Sequence, residues 1–549
     1  YDDQGNLYGG GIVFMDNSST TSYALVSGSF QTTAGGGLSS TTAGNLGTDM
    51  GITKFSSNGT TLLYSTYLGG SRNEMPHSLV VNGNGELIVF GTTCSNDFPV
   101  TSNAYDTTYN STFTGPGISL NSVRYQGGSD IVVSKFNVNG TALQSSTYVG
   151  GTGFDGITSP TAQLKFNYGD EVRGEVFVDN FNNCYVATST NSTTFPTTTG
   201  SFQPLYGGGS QDGVIIKLDS SLSNMLWASY LGGSGEDAAY SVQIDGSGKV
   251  YVAGGTRSTN FPTTLGTVNP SVIGGTDGFV STINSLGTSI IASTRVGTNQ
   301  YDQAYFVQLD DSNNVYVVGQ TEGNYPIYPS TVFNEPFSGQ FIHKFNNALD
   351  TTKVSTTFGT GGSSGNVSID ISLSAFLVND CNHIYVSGWG GPINGSSTAG
   401  LTTTTGAHKT TTDGQDFYLI VLDKNADSLL YATFFGGTTT TSGGEHVDGG
   451  TSRFDKKGIV YQAVCAGCGG SNSFPTSPNN VAGPSNGSSN CNLGVIKFDL
   501  SQLTSDVGLA TVPKVCIPDQ IQFENNSNGG NVYFWDFGDG NTSTAYEPS

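Results

Sequence analysis

The chain is poor in charged residues and poorer still in basic ones. Charged residues are 11% of its 549 positions, with 19 Lys plus Arg against 42 Asp plus Glu, and the formal net charge is −23. Nucleic-acid recognition needs clustered Lys and Arg, and binding to anionic lipid needs a basic surface. The composition therefore argues against nucleic acid as a partner and favours a solvated acidic exterior.

Long apolar runs are missing as well. No stretch approaches the roughly 20 residues of a transmembrane helix, so we expect no membrane insertion. Low charge is typical of disordered chains, but those are poor in aromatic residues, and this chain has 26 Tyr and 31 Phe. Together with 78 Gly, this composition predicts an all-β protein of short strands joined by glycine-rich turns.

An internal repeat dominates the sequence. The clearest unit begins at Gly232 and contains four short apolar stretches separated by Gly, Asp or Asn turns. The second stretch recurs seven times, at Tyr8, Ile88, Tyr185, Tyr251, Tyr316, Tyr385 and Tyr461. Seven units of four strands predict a seven-bladed β-propeller over residues 1–505, in which neighbouring blades cover both faces of each sheet.

The phase of the repeat predicts how the ring closes. Tyr1 and Asp2 match the end of a first strand, and the seventh unit has a third strand ending near Phe498 but no fourth. We expect residues upstream of Tyr1, in a longer protein, to supply the outer strand of the last blade and the inner strand of the first. Such closure removes open sheet edges. Without those residues, the seventh blade is predicted to have three strands.

Residues 506–549 follow a different pattern. The run W-D-F-G-D-G at Trp535–Gly540, with Pro548 after it, resembles the PKD domain, an immunoglobulin-like β-sandwich. The resemblance implies a core Trp beside tight Asp-Gly turns. Because such a sandwich needs about 100 residues, we expect only its N-terminal part here, with a partner for Cys516 lying beyond it.

Several units resemble the SBBP family of bacterial β-propeller repeats, over about residues 1–500. The segments that carry the resemblance are Y-S-T-Y-L-G-G-S at Tyr64–Ser71, Y-L-G-G-S-G-E-D at Tyr230–Asp237 and G-K-V-Y-V-A-G-G-T at Gly248–Thr256. An SBBP propeller followed by a PKD domain is similar to large secreted proteins of Bacteroidetes that carry type IX secretion or gliding-motility sorting domains. The resemblance implies a cell-surface glycoprotein, with candidate O-glycosylation sites at Thr107, Thr351 and Ser428.

The cysteines favour disulfide chemistry. Cys465 and Cys468 form a C-x-x-C pair, but zinc would need a second pair at ligand spacing, for which His446 is a poor match. Thioredoxin-like chemistry would need an α/β context. We therefore predict that two of Cys465, Cys468 and Cys491 form a disulfide in an oxidising compartment. Cys184 and Cys381 flank equivalent strands and are predicted to be small buried residues.

No local motif indicates catalysis or a cofactor. The five histidines are dispersed along the chain, and none of them lies in a nucleophile motif. Acidic turns such as Asp310-Asp311 lack an EF-hand pattern, so we expect them to form turns, and structural Ca²⁺ has no support from the sequence.

We predict a non-catalytic, secreted surface or adhesion module whose partners are other cell-surface proteins or glycans, with self-assembly into a filament left open. One alternative is a propeller enzyme acting on extracellular polysaccharide, which requires carboxylates, His or Arg gathered at a mouth of the channel. An apolar or glycine-lined mouth would remove it. The other alternative is a glycan-binding propeller with exposed Tyr or Trp platforms.

Overall fold

The computed structural model is an all-β protein whose seven antiparallel sheets form a seven-bladed β-propeller, as the repeat predicted. The structure describes residues 1–16, 23–36, 45–120, 123–159, 162–362, 366–438, 444–449, 452–466, 473–476, 491–500, 507–509, 523–525 and 534–548. Within these ranges the helical elements are the single 3₁₀ turns Asp170–Val172 and Pro392–Asn394. No helix of the described residues is long and apolar enough to cross a membrane.

Consecutive strands of a blade pair antiparallel from the axis to the rim. The strands are β1 (Leu7–Asp16), β2 (Asn45–Phe55) and β3 (Leu62–Leu68) in blade 1; β4 (Glu74–Val81), β5 (Leu87–Thr93), β8 (Asp130–Phe136) and β9 (Leu143–Val149) in blade 2, with a hairpin of β6 (Ile118–Leu120) and β7 (Val123–Tyr125) between; β10 (Glu175–Val178), β11 (Cys184–Thr190), β12 (Asp212–Leu218) and β13 (Met225–Leu231) in blade 3; β14 (Asp237–Ile244), β15 (Val250–Thr256), β16 (Asp277–Ile283) and β17 (Ile290–Val296) in blade 4; β18 (Asp302–Leu309), β19 (Val315–Thr321), β20 (Gln340–Phe345) and β21 (Thr352–Phe358) in blade 5; β22 (Ser372–Val378), β23 (Ile384–Trp389), β24 (Phe417–Leu422) and β25 (Leu429–Phe435) in blade 6; and β26 (Arg453–Phe454), β27 (Ile459–Ala466) and β28 (Asn492–Asp499) in blade 7. Beyond the propeller, β29 (Val507–Leu509) pairs with β30 (Phe523–Asn525), and β31 (Trp535–Asp536) pairs with β32 (Thr542–Ser543).

The turn between the first two strands of a blade is anchored by an Asp or Asn side chain. In blade 4, Asp245 Oδ1 accepts hydrogen bonds from the amides of Ser247 at 2.8 Å and Lys249 at 3.0 Å, and Oδ2 accepts from the Tyr251 hydroxyl at 3.1 Å. Gly248 has φ +82°, the left-handed conformation that the turn from Asp245 to Gly248 requires. The equivalent anchors in the other blades are Asp2, Asn82, Asp179, Asp310, Asn379 and Asp455.

Side chains on both faces of each blade are buried against the neighbouring blades. In β15, Tyr251 and its neighbours Val250 and Val252, which point to opposite faces, are all fully buried. The aromatic residue that precedes Pro after the second strand is also buried, at Phe98, Phe195, Phe261, Tyr325 and Phe474. Each such side chain contributes about 1.5–3 kcal/mol, so the repeat is stabilised mainly by packing between blades.

Blades 7 and 1 meet and close the ring. Blade 7 has three strands, as expected for this chain, and blade 1 also has three because β1 occupies the second-strand position. The rings of Tyr1 and Tyr461 stack at 4.5 Å, and Lys497 Nζ donates to the carbonyls of Gly5 at 3.3 Å and Ser57 at 3.0 Å. The ring therefore closes through side-chain contacts between the two shorter blades.

The described part of the C-terminal segment has short strands and tight turns. Gly538 and Gly540 have φ of +78° and +91°, the conformation that the Asp-Gly pairs predict. Trp535 is half-buried, lies 5.9 Å from the ring of Phe523 and donates from Nε1 to the Ala545 carbonyl at 2.8 Å. Cys516 lies outside the described residues, and the PKD-like domain stays a prediction.

Candidate functional site at the propeller axis

A segment between β9 and β10 crosses the axis of the propeller. This axial segment, residues 162–173, leaves the rim of blade 2 and reaches blades 5 and 6. Asn167 Nδ2 donates to Gln320 Oε1 and to the Tyr305 hydroxyl, both at 2.9 Å, and the Tyr168 amide donates to Asn394 Oδ1 at 2.8 Å. These contacts join residues far apart in the sequence, which is why the repeat pattern gave no sign of them.

The axial segment brings a buried ion pair to the centre of the ring. Arg173 Nε donates to Asp170 Oδ1 at 2.5 Å, and the two guanidinium Nη atoms donate to the Leu373 carbonyl at 3.0 Å and the Ser372 hydroxyl at 3.1 Å. The Tyr305 hydroxyl donates to Asp170 Oδ2 at 3.0 Å, and the guanidinium lies 4.3 Å from the centre of the Tyr305 ring. Every polar group of the pair is therefore used inside the protein.

A second ion pair spans the channel between blades 3 and 7. Arg453 of β26 donates from Nη1 to Glu175 Oε1 of β10 and from Nη2 to the Ser78 hydroxyl of β4 at 3.1 Å. Glu175 Oε2 accepts from the Ser241 hydroxyl of β14 at 2.6 Å. Four inner strands are thus joined by one carboxylate and one guanidinium. Glu175 is buried, whereas the Arg453 side chain is 19% exposed.

A cluster with metal-ligand chemistry lies beside the axis in blade 7. The ring nitrogen of His446 and the sulfurs of Cys465 and Cys491 all lie within 4.8 Å of one another. Sequence reasoning missed this meeting because it rated His446 a poor match, whereas the backbones of His446 and Cys465 pair directly, through hydrogen bonds of 2.8 and 3.4 Å. Cys491 also makes an interaction of its own, so these three groups are not an open ligand set.

The Cys465 thiol is a poor nucleophile in this environment. It donates a hydrogen bond to Asp448 Oδ2 at 2.8 Å, and His446 Nε2 lies 3.4 Å from Asp448 Oδ1. Burial, and then the neighbouring Asp448 carboxylate, raise the pKa of Cys465 well above its usual value. A thiol held in its protonated form does not act as a catalytic nucleophile, although Cys, His and Asp meet here.

A groove lies along the axial side of β1. It is lined by Tyr8 and Gly10 of β1, Leu79 of β4, and Arg453 and Tyr461 of blade 7. In the four-stranded blades the equivalent side of the second strand is covered by the first strand of the same sheet. The groove is therefore the place in blade 1 where an inner strand would lie.

The residues named from the sequence lie apart from the axis or outside the described ranges. Thr107, Thr351 and Ser428 are all exposed in loops or turns, as a modification site requires. Cys465 carries a free thiol, and Cys468 lies outside the described residues. Cys184 is buried as predicted, but the prediction for Cys381 is wrong: it is exposed, because it lies in the turn before β23 and not in the strand.

Comparisons with known proteins find similar solved structures but no matching family. No family model matches the chain, and no curated protein matches it. Among solved structures it is similar to a protein of unknown function from Bacteroides caccae, with 8% identity and a TM-score of 0.31 over 70% of this chain and 89% of that one. It is also similar to a protein of unknown function from Dyadobacter fermentans, with 13% identity and a TM-score of 0.30 over 62% of this chain and 80% of that one. A leech intramolecular trans-sialidase has 8% identity and a TM-score of 0.34 over 78% of this chain and 68% of that one. At these values the likenesses assign no activity to this chain.

Proposed function

We propose that this chain is a non-catalytic propeller module of the cell surface, which binds other surface proteins or glycans through its exterior. The observation that carries the proposal is the state of the axis. Propeller enzymes gather their reacting groups around an open channel, whereas here the axial segment crosses the axis and pairs Asp170 with Arg173 internally. The formal net charge of the chain, −23, suits a secreted protein that has to stay soluble.

The enzyme alternative is testable at the same residues. The axis carries Asp, Glu and Arg side chains and is neither apolar nor glycine-lined, so the enzyme alternative has to be tested by measuring activity. Purified protein is incubated with a panel of extracellular polysaccharides, and new reducing ends and unsaturated products are measured. The proposal expects neither product. Cleavage that disappears in Asp170→Asn or Glu175→Gln, while both variants keep the native circular dichroism spectrum, would overturn it.

The binding arm of the proposal needs its own measurement. The protein is applied to a glycan array and to immobilised surface proteins, and its self-association is followed by analytical ultracentrifugation over a range of concentrations. The proposal expects binding or self-association in at least one of these assays. A chain that stays monomeric and binds neither glycans nor surface proteins would contradict an adhesion role.

The glycan-binding alternative depends on exposed aromatic rings. Trp227 and Trp389 of the propeller are buried, at 4% and 1% exposure, so they offer no platform. Tyr328 is 56% exposed and is the aromatic residue of this kind to test. Loss of a glycan-array signal in Tyr328→Ala, with an unchanged unfolding midpoint, would favour this alternative over binding through the acidic exterior.

A further inference from the structure

Two carboxylates meet at the junction between blades 3 and 4. Asp212 begins β12, Asp237 begins β14, and both are fully buried. Gly232, in the connection between these blades, lies against both of them. A Cβ atom added at Gly232 would lie 2.4 Å from Asp212 Oδ1 and 2.8 Å from Asp237 Oδ2. The two acidic groups therefore point to one place.

The hydrogen bonds at this junction leave part of the negative charge uncompensated. Asp237 Oδ2 accepts from the Gly233 amide at 2.7 Å and from the Ser258 hydroxyl at 2.6 Å. Asp212 Oδ2 accepts from the Gly207 amide at 2.5 Å, but Asp212 Oδ1 is buried without a hydrogen-bond partner. A buried carboxylate oxygen that faces a second carboxylate is costly unless a positive group lies between them.

At the equivalent junction between blades 6 and 7, the chain supplies that positive group. The carboxylates there are Asp416, which precedes β24, and Glu445. Lys409 Nζ lies 2.7 Å from Asp416 Oδ1 and donates to the carbonyls of Gly436 at 3.0 Å and Gly437 at 3.1 Å. Gly436 and Gly437 stand where blade 3 has Gly232 and Gly233. The junction is thus a cradle of oxygen atoms that holds a cation in blade 6.

Two further junctions remove the charge conflict in other ways. Between blades 4 and 5, Arg295 Nη1 donates to Asp277 Oδ2 at 2.9 Å beside Asp302. Between blades 5 and 6, the residue that begins β20 is Gln340, so a neutral amide lies near Asp370. At the junction of blades 3 and 4, the Arg295 guanidinium acts electrostatically on Asp237, but no Lys or Arg among the described residues forms an ion pair with Asp212.

At the junction of blades 3 and 4, the two residues equivalent to Lys409 and Arg295 are neutral. Gln203 is the residue equivalent to Lys409. The Gln203 carbonyl accepts a hydrogen bond from the Tyr230 amide at 3.1 Å. The Lys409 carbonyl accepts one from the amide of Phe434, the residue equivalent to Tyr230 in the outer strand, also at 3.1 Å. Tyr230 in turn holds the place of Arg295, since both lie at the same register position of the outer strand. Neither of these two positions therefore supplies a positive charge to Asp212.

We propose that the junction of blades 3 and 4 binds a hard divalent cation, Ca²⁺, through Asp212 Oδ1, Asp237 and the neighbouring glycine carbonyls. All donors are oxygen atoms, which Ca²⁺ prefers, and no soft ligand is present among the described residues of the junction. The junctions Asp49–Glu74 and Asp130–Asp155 also hold two carboxylates without a Lys or Arg ion pair among the described residues, so the chain binds up to three ions.

The experiment counts ions. Protein freed of metal with EDTA is titrated with CaCl₂ by isothermal calorimetry, and bound calcium is measured after equilibrium dialysis. Gln203→Lys places an ammonium where Lys409 provides one in blade 6, so it is expected to bind one ion fewer than the native chain and to be more stable in EDTA. Asp212→Asn is also expected to lose one ion. Gln203→Met, which has a similar length and no charge, is the matched control and is expected to keep the native number.

The outcomes separate a metal site from a shared proton. Equal calcium numbers in the native chain, Gln203→Lys and Asp212→Asn would overturn the proposal. So would the absence of calcium binding together with the release of a proton from the native chain, but not from Asp212→Asn, on titration to high pH. That result would mean that the two carboxyl groups share a proton in a hydrogen bond. Because the readout is the number of bound ions, it is independent of any adhesion or enzymatic activity.

Discussion

Arg173 and Asp170 form an ion pair at the centre of the propeller, with Nε and Oδ1 2.5 Å apart and side-chain exposures of 6% and 0%. The pair belongs to the axial segment, but its remaining hydrogen bonds reach blade 6. It therefore attaches the connection between blades 2 and 3 to the opposite side of the ring. Desolvation of the two charges offsets much of the attraction in a buried pair, so removing one partner costs more than the pair itself contributes.

The first prediction is that Arg173→Leu lowers the free energy of unfolding by about 3–5 kcal/mol, because it leaves the Asp170 carboxylate buried without a counter-charge. Urea unfolding followed by tryptophan fluorescence measures the change. Lys456→Ala, which removes an exposed pair with Asp380 at 3.9 Å, is the control and is expected to cost less than about 1 kcal/mol. A similar small effect for both variants would contradict the structural role assigned to the axial pair.

The second prediction concerns His343. Its ring is buried between the Tyr325 hydroxyl at 2.8 Å and the Thr352 hydroxyl at 2.9 Å, and burial lowers its pKa from 6.5 to about 3. Between pH 6.5 and pH 3, His343 is protonated in the unfolded chain but stays neutral in the folded chain. The contribution of His343 to stability is therefore present above pH 6.5 and is lost as the pH falls toward 3. At pH 5 the loss is about 2 kcal/mol.

The measurement is the difference in unfolding free energy between the native chain and His343→Gln, taken from pH 7.5 to 4.5. Gln keeps a donor and an acceptor but does not titrate, so the native chain is expected to lose stability relative to the variant as the medium becomes acidic. A difference that stays constant over this range would show that the histidine keeps an ordinary pKa.

The third prediction has the opposite sign and concerns Asp302. Burial raises its pKa from 3.8 to about 7, against hydrogen bonds that include those from the amide of Thr298 at 2.6 Å and its hydroxyl at 2.9 Å. The folded chain keeps a proton that the unfolded chain has lost, so the stabilising contribution is complete below pH 3.8 and is lost as the pH rises through 7. Across that window it amounts to about 4 kcal/mol.

Asp302→Asn isolates this effect because the amide stays neutral at every pH. Thermal unfolding of the native chain and the variant is compared at pH 5 and pH 8. The variant is expected to gain stability relative to the native chain at the higher pH. If the two proteins shift equally between these conditions, Asp302 does not titrate in the predicted range.

The fold could be predicted from the sequence because each blade repeats local signals. The turn anchors such as Asp245 and Gly248, and the buried aromatic residues such as Phe261, recur at fixed offsets, and their partners lie within the same unit. The carboxylates at Asp212 and Asp237 also stand at repeated positions. Their recurrence could have indicated a junction site, but the sequence does not say that the two positions face each other.

The axis could not be predicted in this way. The axial segment has no counterpart in other units, and Asn167 meets Gln320 and Asn394 only because the ring brings distant blades together. Loop residues with partners this far apart carry no periodic pattern. The same reason explains why the meeting of His446 with Cys465 was missed.

The last prediction concerns the cysteines of blade 7. Since Cys465 carries a free thiol, the predicted disulfide among the three candidates has one remaining pairing, Cys468 with Cys491. The bond would connect the residues after β27 to the start of β28 and so close a loop of the blade. A disulfide that closes the loop from Cys468 to Cys491 would stabilise the folded chain by about 3 kcal/mol, because it restricts the unfolded state.

Peptide mapping of the non-reduced protein under alkylating conditions measures the pairing. The expected product is one cross-linked peptide that contains Cys468 and Cys491, with Cys465 alkylated only after unfolding because its thiol is held by Asp448. Cys491→Ser is expected to lower the unfolding midpoint and to abolish the cross-link, whereas Cys465→Ser leaves the cross-link intact. A cross-linked peptide that contains Cys465, or alkylation of both Cys468 and Cys491 in the native protein, would contradict this pairing, since a thiol held in a hydrogen bond cannot also be half of a disulfide.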